Sequence, residues 1–309
     1  MRIAMVGHSY HLVTRSSQFF ADLLRNLGEV VAFWDDAWTG SISDWLNTFD
    51  PSSFNCIVVW QWSQLLHDIP DLLAKHGNVI VVPMYDDVVN SSPDIWPRIY
   101  SLFKIICFSS TLYDDVARYS SKARYFKYFP NPASFTPIVH GSELSAFFWR
   151  RTNQITESTL ANLCSCTTFD TFTIHFAPDP CIRSTCSRPA LSLSTREFNC
   201  SSWFENKADY LRTVARHRVY FAPRLNEGIG MAFLEAMAMG LCVVAPNTPT
   251  HNEYIVDRNN GLLYDSERSK LDFTSLATIG INARATIEMG YQQWISSQDE
   301  LLSFVSSPI

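Results

Sequence analysis

The chain has 309 residues, of which 47% are apolar and 17% charged, with a net charge of −6. That length exceeds one ordinary domain and suits two, each with enough apolar residues for its own core. A disordered chain needs more charge and less hydrophobicity, and a nucleic-acid binder needs a clustered basic surface, so neither class fits. A few well-placed donors still suffice to hold one diphosphate.

The apolar runs have the length of strands, not of bilayer spans. The opening Met1-Arg2-Ile3-Ala4-Met5-Val6-Gly7 is too short for a signal-peptide core and leads into polar His8, Ser9 and His11. The expected compartment is the cytoplasm.

In chain order, strand-like runs occur at 2–6, 30–34, 56–60, 79–83, 104–108 and 124–128. Helical patterns fill the gaps. Phe19, Phe20, Leu23, Leu24 and Leu27 form one stripe at period 3.6, with Thr14-Arg15-Ser16 offering caps and Gly28 at the expected stop. Strands separated by single helices must pair in parallel, which predicts a doubly wound sheet. Pro130-Asn131-Pro132 then breaks the rhythm and reads as a hinge. A second alternation follows. Strands are predicted at 145–149, 171–176, 190–193, 219–222, 241–245 and 261–264, and helices at 156–164, 205–215 and 230–239. The stretch 177–189 reads as loop, and two further helices, 275–289 and 291–304, close the chain.

Of eight cysteines, Cys56, Cys107 and Cys242 lie in apolar runs and read as core thiols. Cys164, Cys166, Cys181, Cys186 and Cys200 cluster without a paired C-x-x-C spacing. They read as reduced, incidental thiols, with a metal site or a disulfide as the other reading.

The chemistry concentrates in 219–265. A buried strand ends at Pro223. A polar loop, Arg224-Leu225-Asn226-Glu227-Gly228-Ile229-Gly230, leads into a helix rich in Ala, Met and Leu. Ligands of such sheets bind beyond the carboxyl ends of strands, and a helix N-terminus presents unpaired N–H groups and partial positive charge. Gly228 and Gly230 let phosphates approach that backbone. Carboxylates beside a phosphate site need another task, and sugar or ribose hydroxyls supply it. Glu227 and Glu235, eight positions apart, would be separated by about 12 Å along a helix.

The ordered string Pro223, Glu227-Gly228, Gly230, Glu235-Ala236-Met237-Ala238, Gly240, Val243-Val244-Ala245, Glu253 and Asn260-Gly261-Leu262-Leu263 resembles the donor domain of retaining glycosyltransferases of the GT-B fold, glycosyltransferase family four in particular. The string covers about a sixth of the chain. The resemblance implies two facing Rossmann-like domains, an acceptor domain at 1–135 and a nucleotide-sugar donor domain at 136–289, with a helix at 290–309 crossing back to the first. It implies that Glu227 contacts the donor sugar near the reacting carbon and that Glu235 holds the ribose. The amides of Gly230, Met231 and Ala232 would face sugar and diphosphate, and Arg151, with Arg150 beside it, would neutralise the diphosphate. Three positions depart from the pattern. Arg224 replaces a small residue, no lysine follows Arg151, and Gly7-His8-Ser9-Tyr10-His11 stands in place of a glycine-rich first loop.

On the acceptor side, Gly7, His8 and Asp86 are the candidates. His11 is a further loop histidine, and Asp86 or Asp87 reads either as an acceptor-orienting carboxylate or as a helix N-cap. Trp34, Trp38, Trp60 and Trp62 would stack on sugars or simply pack. His251 reads as a surface-loop histidine. No cofactor and no metal are implied, the donor being a nucleoside diphosphate sugar. The acceptor would be a glycan or glycolipid, which would bring the chain to a membrane surface peripherally, in polysaccharide synthesis. No nucleic-acid partner is implied. A nucleotide-sugar epimerase of the same fold and a non-catalytic supporting subunit stand as alternatives.

Overall fold

The computed structural model describes residues 1–36, 43–61, 66, 73–91, 95–139, 141–179, 193–266 and 268–308. Trp38, Trp62, Cys181, Cys186, the loop from 180 onward and most of the strand predicted at 190–193 lie outside the described residues. The chain divides into two units, Met1–Tyr128 with Gln293–Ile309, and Phe129–Gln292.

The first unit is built on one parallel sheet of order β2-β1-β3-β4-β5-β6. Its strands are β1 (Arg2–His8), β2 (Glu29–Asp35), β3 (Cys56–Trp60), β4 (Val79–Val82), β5 (Lys104–Cys107) and β6 (Ala123–Tyr125). β3, β4 and β5 are buried along their whole length, which explains why they read as unbroken apolar runs. Among the described residues this unit also contains the helices α1 (His11–Thr14), α2 (Gln18–Leu24), α3 (Tyr85–Asn90), α4 (Ile95–Leu102) and α5 (Ser110–Val116). The sheet order reverses between β1 and β3.

The second unit has a parallel sheet of order β12-β11-β10-β7-β8-β9. Its strands are β7 (Ser145–Arg150), β8 (Thr168–Phe176), β9 (Ser194–Ser202), β10 (Val219–Phe221), β11 (Cys242–Pro246) and β12 (Leu262–Tyr264). Its helices are α6 (Glu157–Leu163), α7 (Lys207–Val214), α8 (Met231–Ala238) and α9 (His251–Tyr254). Here the order reverses between β7 and β10. A core of Phe148, Phe169, Phe172, Ile174, Phe221 and Val244 packs with Leu160 and Leu163 of α6.

The structure corrects several sequence expectations. β9 was not predicted, because Ser-Thr-Arg-Glu-Phe-Asn-Cys-Ser-Ser carries no apolar run and is mostly exposed. Backbone pairing with β8 over Thr168↔Ser194 to Phe176↔Ser202 makes it an edge strand. Thr14-Arg15-Ser16 caps nothing. Arg15 turns left-handed after α1, and α2 starts after Ser17 without a side-chain cap. Ser16 Oγ instead meets His11 Nδ1 at 2.8 Å.

The two closing helices are one, α10 (Leu276–Ser306). Gly290 interrupts the apolar pattern without breaking the helix. It is small because the Phe129 ring lies against it, where a Cβ would meet ring carbons at 2.3 Å. Beyond Gln292 this helix belongs to the first unit. There Trp294 is buried, with ring centroids 5.9 Å from Phe19, 6.3 Å from Phe108 and 5.5 Å from Tyr128. Lys104 Nζ reaches the carbonyls that end the helix, Phe304 and Ser307, the latter at 2.7 Å, and Asn78 Nδ2 donates to Val305 O at 3.1 Å. A cation on terminal carbonyls satisfies both their lone pairs and the helix dipole. Burial lowers the pKa of Lys104. Trp294→Ala removes the central ring of this cluster and is expected to lower stability by about 3–5 kcal/mol in chemical denaturation. A loss below about 1 kcal/mol would show that the ring does not anchor the helix.

Candidate donor site in the second unit

The carboxyl ends of β7, β8 and β10 lie side by side, and each carries charge. β7 ends in Arg150 and Arg151, whose side chains part. Arg150 pairs with Glu157 of α6 at 3.2 Å and donates to Ile155 O at 3.3 Å. Arg151 Nε donates to Asp179 Oδ1 at 2.8 Å, and its guanidinium lies 4.8 Å from the Trp149 ring centroid. Arg224, just past β10, donates to the other oxygen of Asp179. Asp179, which follows β8, drew no attention in the sequence, because a lone aspartate in a proline-rich loop carries no pattern.

β10 then feeds the loop to α8. Gly230 occupies the N-cap of α8 at φ +83°, in the left-handed region, and a Cβ there would fall 1.8 Å from the Phe233 ring. Only glycine meets both demands. Among the described residues no side-chain bond caps this helix, and the loop of Glu227 and Gly228 leads directly into its first turn. Met231 and Ala232 form the half-exposed first turn.

Glu227 and Glu235 are both buried, at 8% and 4% exposure. The backbone N–H of Glu227 donates to Pro249 O at 3.4 Å. Glu235 pairs with Lys207 of α7. Burial raises the Glu235 carboxyl above its ordinary value, and the Lys207 charge opposes that rise without cancelling it. Tyr210 and Tyr220 stand between these groups, with hydroxyls 3.4 Å apart. Burial raises both phenols, and Tyr220 feels Glu227, Arg151 and Glu235 together. Tyr220 therefore lies within electrostatic reach of all three charges.

His251 is not a surface residue as expected. It opens α9 with 0% exposure, its ring centroid 5.1 Å from Phe233, and both ring nitrogens are buried without a hydrogen-bond partner among the described residues. The turn that follows β11 folds it beneath α8, a placement that no local pattern encodes.

In the first unit, Gly7 and His8 end β1, where the sheet order reverses. His8 Nε2 lies 3.2 Å from Gln61 Oε1 at the end of β3. The His8 and His11 rings stack with centroids 3.8 Å apart, and His11 is buried. A Cβ on Gly7 would sit 3.3 Å from the His11 ring, so the glycine makes room for it. Asp86 and Asp87 lie in the first turn of α3, two and three positions past the N-cap, which is Met84. Trp60 is a core residue, packed with Phe20 at 5.1 Å and Phe108 at 5.8 Å between centroids.

With this geometry in hand, comparison with known proteins is informative. The family model described as Glycosyl transferases group 1 matches residues 193–274. No curated protein sequence matches the chain. Among solved structures, sucrose-phosphate synthase from Thermosynechococcus elongatus superposes with a TM-score of 0.67 at 14% identity, over 99% of this chain and 100% of that one. HepE from Anabaena, solved with UDP and glucose, gives 0.67 at 12% identity, over 98% and 100%. A glycosyltransferase from Rickettsia africae gives 0.68 at 14% identity, over 98% of each chain. The likeness over the whole chain shows that the fold is that of the GT-B glycosyltransferases. The segment that matches the group 1 glycosyl transferase model contains Glu227, Gly230 and Glu235.

Burial has a further consequence. It lowers the pKa of His251 from 6.5 to about 3, of His175 to about 4 and of His11 to about 2, the last helped by the neighbouring His8. In the unfolded chain these imidazoles take protons near pH 6.5, whereas in the fold they remain neutral. The unfolded state therefore binds more protons below that pH. This stability is fully present above about pH 6.5 and is lost as pH falls towards the folded values. Denaturation at pH 7 and pH 4.5 is expected to show a marked loss for the wild type and a smaller one for His251→Gln. Equal losses would exclude His251 as a source.

Proposed function

We propose that the chain transfers a glycosyl group from a nucleoside diphosphate sugar to an acceptor hydroxyl with retention of configuration. The observation that carries this reading is that Arg151 follows β7 while Glu227 and the N-terminus of α8 follow the neighbouring strand β10, at one carboxyl edge, with Glu235 inside α8. Guanidinium and helix amides suit a diphosphate, and buried carboxylates beside them suit hydroxyls. Structures of HepE hold UDP, or UDP with glucose, which supports a nucleotide-sugar donor for this chain as well.

In this reading Arg151 and the amides of Gly230, Met231 and Ala232 receive the negative charge of the departing diphosphate, so that no metal is needed for it. Gly228 keeps the loop close to the sugar. Glu227 faces the sugar carbon, which gains positive charge as the bond to the diphosphate breaks. Glu235 accepts from the ribose, exchanging part of its bond to Lys207 for one to the ligand. Arg150, engaged with Glu157, has at most a supporting part. The acceptor would be met by Gly7, His8 and Asp86, at the carboxyl edge of the first unit's own sheet. A glycan or glycolipid acceptor, cytoplasmic action and a place in polysaccharide synthesis accord with this reading. No described helix is long and apolar enough to cross a membrane.

Glu227→Gln keeps size and hydrogen bonding but removes the charge. It is expected to abolish most transfer while nucleoside diphosphate affinity stays within a few-fold. Full turnover with a confirmed donor would refute the assignment. Glu235→Gln is expected to act the other way, weakening the nucleotide and lowering turnover mainly through that loss.

Arg151→Ala should weaken nucleoside diphosphate binding by about 1.5–3 kcal/mol, and more than Arg150→Ala. Calorimetry showing equal, negligible effects would remove Arg151 from the site. Release of free nucleotide only when an acceptor is added separates transfer from epimerisation, and donor turnover by the purified chain alone excludes a purely supporting role.

A further inference from the structure

In the second sheet the strand order reverses between β7 and β10, and open parallel sheets hold their ligands outside the strand ends at such a reversal. Arg151 follows one of these strands and Arg224 follows the other. Asp179 comes from β8, on the far side of β7, and its two oxygens take one arginine each. The three side chains are 16%, 20% and 8% exposed, so this is a shielded cluster and not a surface ion pair. Burial would raise the Asp179 carboxyl, but the two guanidiniums outweigh it and hold the group below its ordinary value. The carboxylate stays ionised between the two guanidiniums.

The backbone around Arg224 is fixed from the β7 side. Thr152 Oγ1 donates to Pro223 O at 3.3 Å, and Leu225 N–H donates to Gln154 Oε1 at 3.3 Å. The residues that make these bonds belong to Thr152-Asn153-Gln154-Ile155-Thr156, the stretch after Arg151 that contains no cation of its own. A diphosphate carries more charge than one guanidinium offsets. The structure brings a second guanidinium to the same place from the next strand.

We infer that Arg224 is the second cation of the diphosphate site, with Asp179 a positioning residue that presets the two guanidiniums as a pair. This rests on the nucleotide-sugar reading above. A guanidinium presents five N–H groups in a planar fork, a geometry that suits an anchoring carboxylate and a phosphate oxygen together.

The test is titration calorimetry of UDP and UMP with the whole chain, comparing wild type, Arg224→Gln, Arg224→Lys and Asp179→Asn, with thermal unfolding to confirm that each variant folds. Arg224→Gln is expected to weaken UDP at least about tenfold, to change UMP less than about threefold, and to make UDP binding less sensitive to salt. Arg224→Lys should fall between, keeping the charge without the fork. Asp179→Asn raises the local positive charge yet should still weaken UDP several-fold, because the pair loses its anchor. Unchanged UDP affinity in Arg224→Gln, or an equal loss for UMP, overturns the assignment of Arg224 alone. Tighter UDP binding by Asp179→Asn overturns the positioning role. A wild-type chain that binds none of UDP, GDP and ADP overturns the donor reading and this inference with it.

Discussion

Every strand of both sheets runs parallel to its neighbours, so each connection must cross a face of the sheet before the next strand begins. The loops that leave the strands therefore collect at one edge, far apart in sequence and adjacent in space. Arg151, Asp179 and Arg224 follow three such strands, and Glu227 lies on the path from one of them into α8. Their meeting is a result of strand order, and each residue contributes only its chemistry.

That edge concentrates charge in low-dielectric surroundings, where an unbalanced ion would be costly. Asp179 lies between two guanidiniums, and Glu235 takes Lys207. The partners are themselves polar groups suited to a nucleotide, so a ligand entering this place would exchange one set of charge-assisted bonds for another without uncovering a bare ion. Tyr210 and Tyr220 fill the space between with neutral, protonated phenols.

Away from that edge, close approach of rings to backbone shapes the helices. Gly230 admits the Phe233 ring at the start of α8, and Gly290 admits Phe129 in the middle of α10. In the first unit, Phe19, Phe108, Tyr128 and Trp294 form an aromatic cluster, and Lys104 closes the end of α10. These contacts give α10 a continuous course where its sequence offers a natural place to stop.

Much of this was readable in advance. The buried strands β3, β4, β5, β10 and β11 declared themselves as apolar runs, because a strand covered on both faces has no need of polar residues. The segment from Val219 to Glu235 stood out because glycines, glutamates and the strand before them stand within a few turns of one another. β9 was not legible, since an edge strand held by backbone bonds leaves no side-chain signature. The course of α10 through Gly290 depended on Phe129, which lies 161 positions earlier in the numbering. The burial of His251 and the sharing of Asp179 by two arginines were likewise beyond reach. Local pattern determined which residues could carry charge, turn tightly or start a helix. Only the packed sheet decided which charges would face one another, because Coulombic and hydrogen-bond partners are chosen by distance in space.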